Sequence, residues 1–197
     1  MDDTSTLVHR GLQLEYLTLG WNVIGSVIVL VAAMVAHSVA LAGFGLDSVV
    51  EIGASVVVIW QLRGVHRERE KKALRLISIA FFALALYVLC QSVRALYLRV
   101  HTGNSPTGIL WLALTFLIML ALAAGKHSTG VALNNQVLKA EARVTLVDAY
   151  LAGSVLLGFL LNTLLGWWWS DPLAGFVIVF YGFREGLHAW VEAAKAA

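Results

Sequence analysis

The sequence predicts an all-α membrane protein of six transmembrane helices with both termini in the cytoplasm. Three observations carry that expectation. Of the 197 residues 59% are hydrophobic and only 13% charged, and the mean hydropathy is +0.80. Six apolar stretches, roughly 15–37, 40–62, 76–100, 107–125, 140–165 and 172–193, are about as long as the ~20 residues that cross a hydrocarbon core. Basic residues gather on one side of the alternation that these stretches create. Soluble domains are about half apolar and about a quarter charged, so this composition excludes a soluble globular chain. It also excludes intrinsic disorder, a nucleic-acid partner and a secreted disulfide scaffold. Cys90 is the one cysteine and has no intrachain partner. The start Met1-Asp2-Asp3-Thr4 is acidic, so no cleaved signal peptide is expected.

The elements follow in order. Spans one and two are joined by Ala36-His37-Ser38-Val39, too short for anything but an antiparallel hairpin. Between spans two and three lies the charged run Arg63-Gly64-Val65-His66-Arg67-Glu68-Arg69-Glu70-Lys71-Lys72. Gly103-Asn104-Ser105-Pro106 separates spans three and four, with proline suited to a first helical turn. Gly125-Lys126-His127-Ser128-Thr129-Gly130 is expected to break the helix between spans four and five. Trp167-Trp168-Trp169-Ser170-Asp171-Pro172 separates the last two; its tryptophans suit a headgroup belt, and Asp171 is expected to cap the sixth helix. Arg63, Arg67, Arg69, Lys71, Lys72 and Arg75 then share a side with Arg10, Lys126, Lys139, Arg184 and Lys195, against Arg94 and Arg99 opposite. The positive-inside rule places the first set in the cytoplasm. Residues 1–197 read as a single transmembrane domain, with no room for a soluble domain after span six.

An ionisable side chain in hydrocarbon costs at least about 2.5–3.5 kcal/mol, so each needs a reason. Asp47 and Glu51 stand four apart and project from one face of span two, among Gly43, Gly45, Gly53, Ala54 and Ser55, which admit a close neighbour. In span five, Glu141, Thr145 and Asp148 form one polar stripe, with Glu141 about 10 Å below Asp148 along the axis, while Arg143 points elsewhere. Span one adds Asn22, a neutral oxygen donor near mid-span, and Glu15 nearer its cytoplasmic end. Asp47, Glu51 and Asp148 together make an oxygen-rich pocket suited to a divalent cation. Two other readings stay open: structural carboxylates paired or protonated, and a proton pathway without metal. Glu141 reads either as a ligand on the cytoplasmic route to the pocket or as an ion pair with Lys139 or Lys126. His66, Glu68 and Glu70 read as a solvated, headgroup-facing stretch or as a secondary metal site. Cys90 is expected to pack in helix three. No nucleophile motif is visible, and an enzyme is not expected.

The run Asp47-Ser48-Val49-Val50-Glu51-Ile52-Gly53-Ala54-Ser55 after Val39-Ala40-Leu41 resembles the second helix of the cation diffusion facilitators. The stretch ending in Asp148, then Gly153-Ser154-Val155 and Gly166-Trp167-Trp168-Trp169-Ser170-Asp171-Pro172, is similar to that family's fifth and sixth helices. The loop Val65-His66-Arg67-Glu68-Arg69-Glu70-Lys71-Lys72 resembles its second-to-third connection, and the likeness extends over about residues 15–190. The resemblance implies a secondary transporter, usually a homodimer, that exports zinc or a similar divalent ion from the cytoplasm against inward proton flow. Asp47, Glu51 and Asp148 inherit three of its four ligand positions. The family's usual His or Asp four residues before the last Asp is Val144 here, leaving Thr145, Asn22 or water as the further donor. A site without nitrogen or sulfur is hard and brings manganese, iron(II) or cobalt forward as the transported ion, with no prosthetic group expected. Most members also carry a cytoplasmic metal-binding domain after helix six; without it, dimerisation would run through the helices in the bilayer. The expected location is the cell membrane, the cytoplasmic membrane in a bacterium. Two rival readings are a metal-binding sensor or partner protein that does not transport, and a proton or small-solute channel.

Overall fold

The computed structural model describes residues 2–62, 67–134 and 136–195. They form six helices: α1 (Asp2–Ala36), α2 (Val39–Leu62), α3 (Arg67–Leu98), α4 (Pro106–Ala132), α5 (Gln136–Leu165) and α6 (Ser170–Lys195). Several run beyond the apolar stretches. From Arg67 on, the charged run before residue 76 winds into α3, and α1 starts well before residue 15. Hydropathy marks where the hydrocarbon ends, but backbone hydrogen bonding continues past it, and Lys, Arg and Glu are good helix formers.

Left-handed residues end the helices. His37 (φ 52), Arg99 (φ 52) and Asn134 (φ 48) follow α1, α3 and α4, and Gly166 (φ 68) follows α5. After α1 and α3 the chain closes on itself, Ser38 N donating to Ala33 O at 3.1 Å and Val100 N to Ala95 O at 3.0 Å. Ser105 caps α4 by accepting from Gly108 N at 3.1 Å, with Pro106 in the first turn, as expected.

Three expectations fail here. The segment 125–130 does not break a helix, because α4 continues to Ala132. Its glycines are packing positions: a Cβ on Gly125 would meet Leu14 at 3.2 Å, and one on Gly130 would meet Lys139 N at 3.0 Å. Asp171 does not cap α6 but lies inside it and caps α2. Its Oδ1 accepts from Ser38 Oγ, and its Oδ2 accepts from Val39 N at 3.1 Å and Ala40 N at 3.5 Å. The two-residue turn between α1 and α2 leaves buried N–H groups at the positive end of α2, and a carboxylate from the neighbouring helix satisfies them. Cys90 is also exposed rather than packed.

The helices pack as three pairs, α1 with α2, α4 with α5 and α3 with α6; α2 also touches α3, α5 and α6. Along the α3–α6 contact a Cβ on Gly182 would lie 3.3 Å from Ala85 Cβ, and one on Gly186 2.9 Å from Phe82 Cε1. Ser78 Oγ donates to Gly186 O at 2.7 Å, so backbone and hydroxyl meet without a side chain between them. Between α1 and α4, Trp21 stacks on Trp111 at 4.5 Å and donates to Thr115 Oγ1 at 3.1 Å.

The polarity is that of a protein dissolved in lipid. Met34, Val35, Leu76 and Tyr97 are more than two-thirds exposed, whereas Glu15, Asp47, Glu51, Lys126 and Asp148 are buried. Among the described residues, Ser5–Ala36, Leu74–Leu98, Pro106–Ala132 and Glu141–Leu165 are long and apolar enough to span a bilayer by length and composition. Outside those four stretches, α2 and α6 carry the acids Asp47, Glu51, Asp171 and Glu185 and pack against these spans. The chain is an all-α membrane protein.

Candidate metal centre

Asp47 and Glu51 come from the middle of α2, one turn apart, and Asp148 from the middle of α5. Asp47, Glu51 and Asp148 are 3%, 7% and 1% exposed, and one carboxylate oxygen from each lies within 4.8 Å of the others. Two oxygens bound to one ion at 2.0–2.6 Å are at most about 4–5 Å apart, so a single cation can reach all three. Neither oxygen of Asp148 has a hydrogen-bond partner among the described residues. An unpartnered buried carboxylate is costly, and a cation is one group that relieves it.

The structure separates the six candidate residues into two tiers. Asn22 joins the carboxylate tier: its Nδ2 donates to Glu51 Oε2 at 3.0 Å, holding that carboxylate rather than standing in the ligand group with its amide nitrogen. Thr145 is engaged elsewhere, donating to Glu141 O at 3.0 Å and accepting from Lys126 Nζ at 3.1 Å. Glu141 also belongs to the lower tier, its Oε1 3.6 Å from Lys126 Nζ. The ion pair with Lys126, one of the two readings of Glu141, is present in the structure.

Lys126 is the residue that sequence reasoning misplaced. Taken as part of a helix break at the membrane surface, it is instead 0% exposed inside the bundle, bonded to Glu15 Oε2 at 3.0 Å. Arg143 is exposed, as expected from its position off the polar stripe. The signal that identifies Lys126 is the register of α4: Leu112, Thr115, Met119, Leu122, Ala123, Lys126, Thr129 and Gly130 recur at three- and four-residue steps along its buried face. His66 lies outside the described residues, as do the side chains of Glu68 and Glu70, so that cluster has no structural account.

Six helices with a buried acidic group shared between the second and the fifth are what the sequence resemblance leads one to expect. No curated protein matches the chain. A family model described as the cation efflux transmembrane domain matches residues 15–196, a stretch that includes all three carboxylates. The chain therefore belongs to the cation efflux family and is a multi-pass membrane protein of a family of metal cation transporters.

Proposed function

We propose that the protein exports a divalent metal ion from the cytoplasm by exchange with protons, using Asp47, Glu51 and Asp148 as the transport site. The observation that carries this reading is the meeting of three buried carboxylates within 4.8 Å, with both oxygens of Asp148 unpartnered. Metal and protons compete for the same oxygens, because a carboxylate must be deprotonated to ligate. An ion that leaves is replaced by protons, and access alternates between the two faces of the membrane while either occupies the site. The donors are oxygens only, which suits manganese, iron(II) or cobalt as well as zinc. Val144 offers no fourth ligand, so the carbonyl of Asn22 or water completes the coordination. Both termini face the cytoplasm on this reading, by the excess of Lys and Arg on that side. The working unit is a homodimer joined through its helices, and the protein is not an enzyme.

The test is proton-coupled metal flux in proteoliposomes, read with a metal indicator outside and a pH indicator inside. The wild type moves both ions in opposite directions. Asp47→Ala and Asp148→Ala move neither above empty vesicles; undiminished flux in both variants removes the site. A chain that binds metal without moving it is a sensor, and conductance that ignores added metal is a channel.

A further inference from the structure

The sevenfold register of the two tiers points to a second site. On α1, Glu15 stands seven residues before Asn22; on α5, Glu141 stands seven before Asp148. Seven residues are almost two full turns, so both pairs keep one face and are about 10 Å apart along the helices. Glu15 and Glu141 therefore repeat, one layer closer to the chain termini, the α1–α5 side of the carboxylate centre. Between them sits the Lys126 ammonium, with Glu15 Oε2 at 3.0 Å, Thr145 Oγ1 at 3.1 Å and Glu141 Oε1 at 3.6 Å. The oxygen set contains two acids from different helices and a hydroxyl, and Lys126 and Glu15 are both 0% exposed. One oxygen is left over: Glu15 Oε1 is buried without a hydrogen-bond partner among the described residues.

A lysine held only for packing does not require two carboxylates, and one ammonium leaves this layer with an excess negative charge when both are ionised. We infer that Glu15 and Glu141, with the Thr145 hydroxyl, form a second divalent-cation site, held in this structure by the Lys126 ammonium as a tethered cation. The inference rests on the proposed transport function only for its role: the layer lies between the carboxylate centre and the end of the bundle that holds the termini, so an ion travelling between them crosses it. Lysine and metal alternate on the same oxygens. The tethered charge keeps the chain to one metal ion at a time and closes that side while the layer is not in use.

The test is manganese binding by calorimetry to the full chain in detergent, with thermal unfolding to show that each variant is folded. Wild type binds one Mn2+ per chain. Lys126→Met, which keeps the stem and removes the charge, binds two, and the second is lost again in Lys126→Met/Glu141→Gln. Lys126→Met/Asp148→Ala keeps one ion, now in the lower layer. Where Lys126→Met is unstable, added Mn2+ restores its folding, while Glu15→Gln/Lys126→Met/Glu141→Gln folds without it. A folded Lys126→Met that binds only one ion overturns the second site, as does a variant that no Mn2+ concentration rescues while the triple variant folds. A wild type that binds none, with Lys126→Met binding one that Glu141→Gln removes, overturns the carboxylate centre and leaves the second site standing.

Discussion

Asn22 of α1 donates its side-chain amide to Oε2 of Glu51 on α2 across 3.0 Å, both residues being buried. A carboxylate on a membrane helix has several rotamers, and this bond selects one, aiming Glu51 toward Asp47 and Asp148. It also ties the first helix to the centre without adding charge. Outer partners of this kind fix ligand orientation, and losing one costs about 10–100-fold in metal affinity. Asn22→Ala is expected to weaken metal binding by about that factor, read by calorimetry. An unchanged affinity shows that Glu51 is oriented without Asn22.

Metal binding at three carboxylates releases whatever protons they hold, so affinity rises with pH, by about tenfold per pH unit for each proton released. The sign follows from competition: more protons mean less metal. Titrations at several pH values give the slope directly. Asp148→Asn removes one titrating oxygen pair and flattens it. A wild-type affinity independent of pH would leave the carboxylates with no protons to exchange and remove antiport.

Asp171 reaches from α6 to the first turn of α2, accepting from Ser38 Oγ, Val39 N and Ala40 N. Ser38 in turn accepts from Leu41 N at 2.9 Å, so one carboxylate and one hydroxyl cap the helix together. Hydrogen bonds to a charged group contribute about 1.5–3 kcal/mol each when buried, so Asp171→Ala should lower stability in detergent clearly. Ser38→Ala should cost about 1 kcal/mol, the usual cost of losing an N-cap. Because the two share one bond, the double variant should lose less than the sum of the singles. Additive losses would mean that the cap does not act as a unit.

The readable parts of the sequence were those in which chemistry is local. Apolar length located the helices, Pro106 marked the start of α4, and the four-residue spacing of Asp47 and Glu51 put both acids on one face. Asp148 could be added because its stripe on α5 is periodic. The partners were not readable, since they depend on which helix lies beside which. Asp171 looked like a cap for its own helix because that is the nearest N-terminus in sequence; the fold brings α2 closer to its side chain. Lys126 looked like a surface charge because it follows a long apolar run and stands between glycines. Those glycines are contact points between helices, and α4 carries the lysine inward to two acids distant in the chain.

Glu141→Gln separates a role on the ion's route from a purely architectural one. The variant keeps the shorter Lys126–Glu15 bond at 3.0 Å, so the layer still holds its ammonium and the bundle its packing. Asp47, Glu51 and Asp148 are untouched, so the chemistry at the centre and the maximal rate should change little. What weakens is the capture of metal from the side of the chain termini, because one of the two acids that receive the ion is now neutral. The metal concentration giving half-maximal flux from that side should rise about tenfold, equivalent to about 1.4 kcal/mol. Asp148→Asn should behave in the opposite way, losing the maximal rate itself. Initial-rate measurements over a range of metal concentrations, in vesicles of defined orientation, distinguish the two patterns. An unaltered concentration dependence in Glu141→Gln would make the Lys126 layer a fixed strut, with the ion reaching Asp148 by another path.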